Sequence, residues 1–211
     1  MSFGWPFRGR WAGRWVAGVI LALLLPLGFV PLLGYAVACT RAAAAGAEEP
    51  PPWRPLGRIL GDGVAVGLAI AIVTLPCALL AFALVAPLSN PNLWRSTDPL
   101  LHVEAWSTAI LILALPWGIA LLLLMPHATA RFAATGRPAD LFDFAASLRA
   151  VRSDFSAWNL SVAAIVTAWA IGLACAALFC VGLAPGMFYA ILVSAHATAS
   201  LEPEGANPSA R

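Results

Sequence analysis

Three stretches of this chain align without a gap: PLGFVPLLGYAVACTRAAAAG from Pro26 to Gly46, PWGIALLLLMPHATARFAATG from Pro116 to Gly136, and PGMFYAILVSAHATASLEPEG from Pro185 to Gly205. Each opens on proline, carries Arg41, Arg131 or Ser200 fifteen residues later, and reaches glycine five residues after that. Self-similarity of this kind marks one supersecondary unit used repeatedly, and such a unit buries its apolar face only against its neighbours. The pattern predicts hydrophobic helices entered or kinked at Pro26, Pro116 and Pro185 and closed by small residues and a glycine stop.

What surrounds such helices follows from composition. Hydrophobic residues make up 61% of the chain and charged residues 10%, against about a quarter charged in an average soluble domain. Mean hydropathy is +0.85. The expected fold class is all-α: a polytopic helical membrane bundle with internal hairpin repeats and cytoplasmic amphipathic linker helices. Residues 1–211 form a single membrane domain, with the first repeat unit starting in 15–63, the second in 64–155 and a partial third in 156–201. Residues 1–14 and 202–211 are read as interfacial or flexible tails. All 12 basic residues are arginine, which with the abundant Ala, Gly and Pro points to a bacterial coding sequence. The net charge of +2 is scattered, with none of the basic runs that track a phosphate backbone, so nucleic acid is not an expected partner.

Apolar segments lie from the region of Trp15 to Cys39, then at Val64–Pro87, Val103–Met125, Ser156–Val181 and Leu183–Leu201. About 20 helical residues cross a hydrocarbon core of about 30 Å, so each later segment has the length to span, the last one barely. Arg8, Arg10 and Arg14 precede the first run as in a signal peptide, but no A-x-A site follows in a polar context, and the segment is read as retained. Phe3, Trp5, Phe7, Trp11 and Trp15 among these arginines suit a headgroup layer. Gly182 and Pro185 are the expected breakers between the last two spans, with a turn at Gly172 as the alternative.

Arginine placement tests the topology. Five plain spans split the arginines four against eight, whereas a first run that turns back at Pro26, Gly28 and Pro31 puts eleven on one side and Arg95 alone on the other. The second split fits the positive-inside rule better. It implies a multi-pass protein of the bacterial inner membrane with its linkers and C-terminus in the cytoplasm. Two linkers carry helical apolar spacing. The first has Trp53, Leu56 and Leu60; the second, a helix expected over Pro138–Phe155, has Leu141, Phe144, Ala145, Leu148, Val151 and Phe155. Three arginines balance Asp140, Asp143 and Asp154 in the second, so its stripe, with Phe144 and Leu148 as its anchors, is expected to dock on protein and not on anionic lipid.

The order GYAVACTR, then PPPW and GRILGDG, then ATGRPADLFDF, and a closing GLAP helix ending SAHATAS resembles an uncharacterised prokaryotic polytopic membrane family known only as a domain of unknown function. The resemblance runs from about Trp15 to Leu201. It implies five or six helical segments with cytoplasmic linkers and carries no activity. Ser200 stands where a basic residue is expected.

Chemically the spans are sparse. No Asp, Glu, Lys or Arg lies within Val64–Pro87, Ala105–Met125 or Ser156–Leu201, where ion-coupled transporters and proton relays place theirs. Asp62, His102 and Glu104 read as interfacial anchors or helix caps. His127 and His196 occupy the same repeat position, each in HATA, with Val37 in the first copy. Such a pair could ligate haem or a chlorophyll-type magnesium, against the plainer reading of small-residue helix packing around them. Cys39, Cys77, Cys175 and Cys180 form no zinc pattern, and no metal is expected. Gly57 with Gly61, and Gly63 with Gly67, have the spacing of close helix contacts. No catalytic motif is present, so the chain is not expected to be an enzyme. The residues favour a structural or accessory subunit of a larger membrane complex, with the lipid bilayer and a membrane protein or a second copy as partners. A transport or lipid-handling module and a haem- or pigment-binding subunit are the alternatives. Arg41 and Arg131, each near a helix C-terminus, are expected to oppose the helix dipole and to snorkel.

Overall fold

The computed structural model describes residues 3–88, 99–175 and 182–201. Arg95, Cys180, Gly205 and Arg211 lie outside them. Every regular element among the described residues is helical: α1 (Trp11–Leu23), α2 (Phe29–Ala44), α3 (Leu56–Leu88), α4 (Pro99–Thr135), α5 (Phe144–Ser153), α6 (Phe155–Ala174) and α7 (Leu183–Ala199), with 3₁₀ turns at Trp5–Phe7 and Pro138–Leu141. Three helices are long and apolar enough to cross a membrane: Leu56–Leu84 of α3, Leu100–Thr135 of α4, and α6. At 13, 16 and 17 residues, α1, α2 and α7 are shorter. The first apolar run therefore does not span as one helix. It breaks after Leu23 and restarts at Phe29, because Pro26 withholds an N–H and Gly28 lets the returning helix lie against the Leu21 carbonyl. The two ends of this hairpin meet: the Trp53 indole donates to the Arg14 carbonyl at 3.2 Å, and the Trp5 indole to the Ala47 carbonyl at 3.0 Å.

The three repeat prolines act differently. Pro26 sits in the turn before α2 and Pro185 in the first turn of α7, whereas α4 runs on through Pro116 and Pro126. Pro126 leaves the Leu122 carbonyl without its helical donor, and the Trp158 indole on α6 takes that place at 3.2 Å. The glycine stops act alike. Gly46 and Gly136 have φ of 78° and 70°, the left-handed conformation that glycine adopts without strain. Ala47 N–H reaches back to the Ala42 carbonyl at 2.9 Å, and Gly136 N–H to that of Phe132 at 2.8 Å, which satisfies carbonyls that the helix end would orphan.

Around the central helix α2 pack α1, α3, α4 and α7. One cluster joins Trp5, Leu32, Tyr35, Ile59, Phe188 and Leu192; a second joins Val37, Val66, Ala69, Phe132 and Leu141. The backbones of α2 and α3 touch at Gly34 and Gly63, and those of α6 and α7 at Gly172 and Gly186. Of the two glycine pairs singled out above, only Gly63 makes such an approach. Gly57 and Gly61 face open space and Gly67 meets only the Leu33 side chain, at 3.7 Å. Gly172 marks a helix crossing and not a turn. Beyond this base, α3 and α4 continue as a two-helix arm in which no residue of 71–84 or 100–124 is buried.

Two expectations about the linkers change. Between α2 and α3 the chain is a proline loop. Trp53 stacks on Tyr35 with ring centres 3.8 Å apart, while Leu56 and Leu60 are exposed and Ile59 is the buried residue. The second linker is not one helix from Pro138 to Phe155. Asp143 caps a new helix by accepting from Ala146 N–H at 3.0 Å, and Asp154 ends it and caps α6 through Ala157 N–H at 2.9 Å. Its apolar residues divide: Leu141 and Val151 are buried, Phe144 is half-buried, and Ala145, Leu148 and Phe155 are exposed. Residues 3–10 are no free tail, since Trp5 is 1% exposed.

Candidate functional site

The C-terminal ends of α2, α4 and α7 gather at one end of the molecule, and each brings its repeat position there. Arg41 on α2 donates through Nη2 to Asp62 Oδ2 at 3.2 Å and through Nε to the Ala133 carbonyl at 2.9 Å. It therefore caps the C-terminus of α4 and not its own helix, and Asp62 is an ion-pair partner inside α3 and not a cap. Arg131 on α4 spans Asp140 at 3.1 Å and Asp143 at 3.3 Å, which tie the second linker to the base. Thr135 Oγ1 lies 2.5 Å from Asp140 Oδ2. In the third copy the Ser200 hydroxyl meets that of Ser161 at 3.1 Å, a neutral link between α7 and α6 where the other copies use charge. Arg14 pairs with Glu49 at 3.0 Å.

Two carboxylates at this end titrate below their ordinary range. The Ala146 N–H, then Arg131, hold Asp143 down, and the hydrogen bond from Arg14 holds Glu49 down. A carboxylate with a lowered pKa in the folded state stabilises fully above its unfolded pKa, about 4, and that stability is lost as pH falls through the folded value. Thermal unfolding temperature is therefore expected to drop on acidification below about pH 4. Asp143→Asn keeps a cap acceptor and removes the titration, so its acid limb should be flatter. An unchanged acid limb in Asp143→Asn combined with Glu49→Gln would show that these groups do not set it.

Beside the ionic end lies an aromatic layer. Tyr35 donates to the Pro51 carbonyl at 2.8 Å and Trp15 to that of Pro6 at 3.0 Å. His196 stacks on Trp5 with ring centres 4.9 Å apart. Buried indoles and phenols need such partners, and here they fix the N-terminal segment and the proline loop over α1, α2 and α7.

Inward of this end, α2, α3, α4, α6 and α7 border an open cavity of about 280 Å³. All three repeats contribute the same position to its wall, Ala36, Pro126 and Ala195, ten residues after each repeat proline. Leu122 with Ile191 and Thr129 with Thr198 are further equivalent pairs on the wall. Two of the convergent positions are alanine and the third a proline, so the helices meet without filling the space between them.

The two histidines do not share this cavity. His127 lies two residues from both Met125 and Thr129, and His196 two from both Ser194 and Thr198; all four of those residues line it. Two residues turn a helix by about 200°, so each imidazole is on the far side of its helix. His127 is 5% exposed with Nε2 enclosed and unpaired, and no ring contact or hydrogen bond joins it to His196. Among the described residues no group of three His, Cys, Asp or Glu could hold a metal ion.

Span-length apolar helices and a base closed by ion pairs at one end define a helical membrane protein. The chain belongs to the family described as a protein of unknown function, DUF4013, whose model matches residues 17–183. The resemblance to an uncharacterised family is thereby borne out. Comparison with the curated proteins and with the solved structures gave no match.

Proposed function

We propose that this protein is a non-enzymatic structural or accessory subunit whose α3–α4 arm packs against the helices of a larger membrane complex. The arm carries the reading. Between its two helices runs a cleft of about 290 Å³ lined by Ala78, Ala81, Ala109 and Ala114 and flanked by Trp106 and Trp117. Small residues at membrane helix surfaces let another backbone approach closely, and packing is what holds helices together where lipid offers no hydrophobic gain. The cleft is also braced, since the Trp117 indole donates to Thr74 Oγ1 at 3.2 Å. Uncharged spans support a packing role over an ion-coupled one.

Photo-crosslinking residues placed at Ala81 and Ala109 in native membranes test this. One discrete adduct with another membrane protein is expected from both positions. Ala81→Leu with Ala109→Leu should fill the cleft and remove the copurifying protein, while the thermal stability of the base is unchanged. A monodisperse protein that yields only lipid adducts at both positions would refute the subunit reading.

A further inference from the structure

We propose that the outer face of α5 is a docking surface for the bilayer, set in the headgroup layer and binding anionic phospholipid through Arg137, Arg149 and Arg152. Its depth follows from its neighbours. On α4 no residue of 100–124 is buried, and that exposed stretch gives way to an ion-paired end at Arg131. The chain enters α5 at Asp143, held by Arg131, and leaves it for α6, where Trp158 meets the Leu122 carbonyl. The ten residues of α5 therefore cross the level at which lipid contact changes to ionic contact. Both of its ends lead into span-length helices, so the surface beside it is a bilayer.

Counted along the sequence, this linker is neutral, three arginines against Asp140, Asp143 and Asp154, and that balance speaks against anionic lipid. Folding separates the two signs. Asp140 and Asp143 turn to Arg131 on α4, at 3.1 and 3.3 Å, and the Asp154 carboxylate caps α6 through Ala157 N–H at 2.9 Å. Arg137, Arg149 and Arg152 are exposed and make no ion pair among the described residues. On α5 the buried residues are Ser147 and Val151, and the helical repeat sets Ala145, Leu148, Arg149 and Arg152 together on the opposite face. Phe142, Leu148 and Phe155 are exposed before, within and after the helix. Apolar side chains flanked by arginine fit the headgroup layer: the first reach the acyl boundary while guanidinium groups bond phosphate oxygens. An anionic leaflet adds attraction of about five-fold per arginine, which a zwitterionic one lacks. The surface does not depend on the subunit reading, because it uses the linker and not the α3–α4 arm.

The test places the full chain, with a diazirine amino acid in place of Leu148, in nanodiscs of phosphatidylcholine containing one part in five of phosphatidylglycerol. The ratio of phosphatidylglycerol to phosphatidylcholine adducts is expected to exceed their ratio in the bilayer about ten-fold, and to fall toward it as salt is raised. Combining Arg137→Gln, Arg149→Gln and Arg152→Gln should return it to the bilayer ratio, with elution and thermal stability unchanged because none of the three is ion-paired. Adducts in the bilayer ratio without these substitutions would overturn the proposal, and so would enrichment that survives the triple variant. Enrichment abolished by inorganic phosphate at constant ionic strength would overturn it in favour of a free-phosphate site. A discrete protein adduct at this position in native membranes would overturn it by assigning the face of α5 to a partner chain.

Discussion

Gly34→Leu is expected to disassemble the base of the molecule, whereas Gly57→Leu, two turns from the same crossing, leaves it intact. A Cβ on Gly34 would run into the Ile59 carbonyl and stand 2.9 Å from Gly63 N, and one on Gly63 would meet the Val30 carbonyl and stand 3.0 Å from Gly34 N. These neighbours are backbone, so no rotamer change relieves them and the helices must part. Overpacking that side chains can absorb costs about 1–3 kcal/mol, and a forced separation of α2 from α3 belongs at or above the top of that range. Because α2 also touches α1, α4 and α7, the separation reaches those helices as well. Gly57 and Gly61 have open space around them, and leucine there gains up to about 0.8 kcal/mol of helix propensity. Thermal unfolding in detergent, with size-exclusion profiles, should show Gly34→Leu unfolded or aggregated and Gly57→Leu at or above the wild-type temperature. Equal behaviour of the two would mean that the crossing yields.

The glycines show what kind of information the sequence holds. Small-xxx-small spacing is visible in a linear chain, and it marked Gly57, Gly61, Gly63 and Gly67 equally. Which of them meets a partner depends on where α2 crosses α3, at Gly34 against Gly63, and spacing along α3 does not encode that. The helix stops at Gly46 and Gly136 were legible because a left-handed residue is a local requirement. The turning back of the first apolar run was legible from arginine counting, since charge placement reports on which end of a helix is wet. The single helix expected over Pro138–Phe155 was not what formed, because Asp143 and Asp154 each offer a cap acceptor that outcompetes helix continuation.

Site residues divide the same way. Repeat alignment located Arg41, Arg131 and the histidines, but alignment gives position along a helix and not the partner across the bundle. Arg41 reaches Asp62, and Arg14 reaches Glu49, over separations that no helical period encodes. Ser194, Ala36 and Ala195 drew no notice at all, since small residues in an apolar helix look like packing until five helices are seen to leave a space between them. One signal was present: positions ten after each repeat proline read Ala, Pro and Ala, with no large side chain in any copy.

Arg41→Glu is the second large effect expected. Ala133 lies in the last turn of α4, where carbonyls lack helical donors, and the following chain does not supply one: Arg137 N–H bonds the Thr135 hydroxyl instead. Arg41 fills that need while pairing with Asp62, whose side chain is 14% exposed. Glutamate would set a carboxylate against both an unpaired carbonyl and a second, largely enclosed carboxylate. Breaking a buried pair costs about 3–5 kcal/mol, and with the Arg41 side chain 26% exposed the lower end applies. Arg41→Met removes the charge without adding a like one and should cost about 1.5–3 kcal/mol, the value of hydrogen bonds to a charged group. Restoring the pair in reverse, Arg41→Glu with Asp62→Arg, should recover roughly half of the loss, because the Ala133 contact is not remade. Thermal unfolding of the wild type, Arg41→Glu, Asp62→Arg and the double variant closes the cycle, with Arg41→Met measured beside them. If the double variant is no better than the single one, the pair contributes nothing and the helix-end contact carries the whole effect; if Arg41→Glu itself unfolds at the wild-type temperature, the repeated arginine has no structural role.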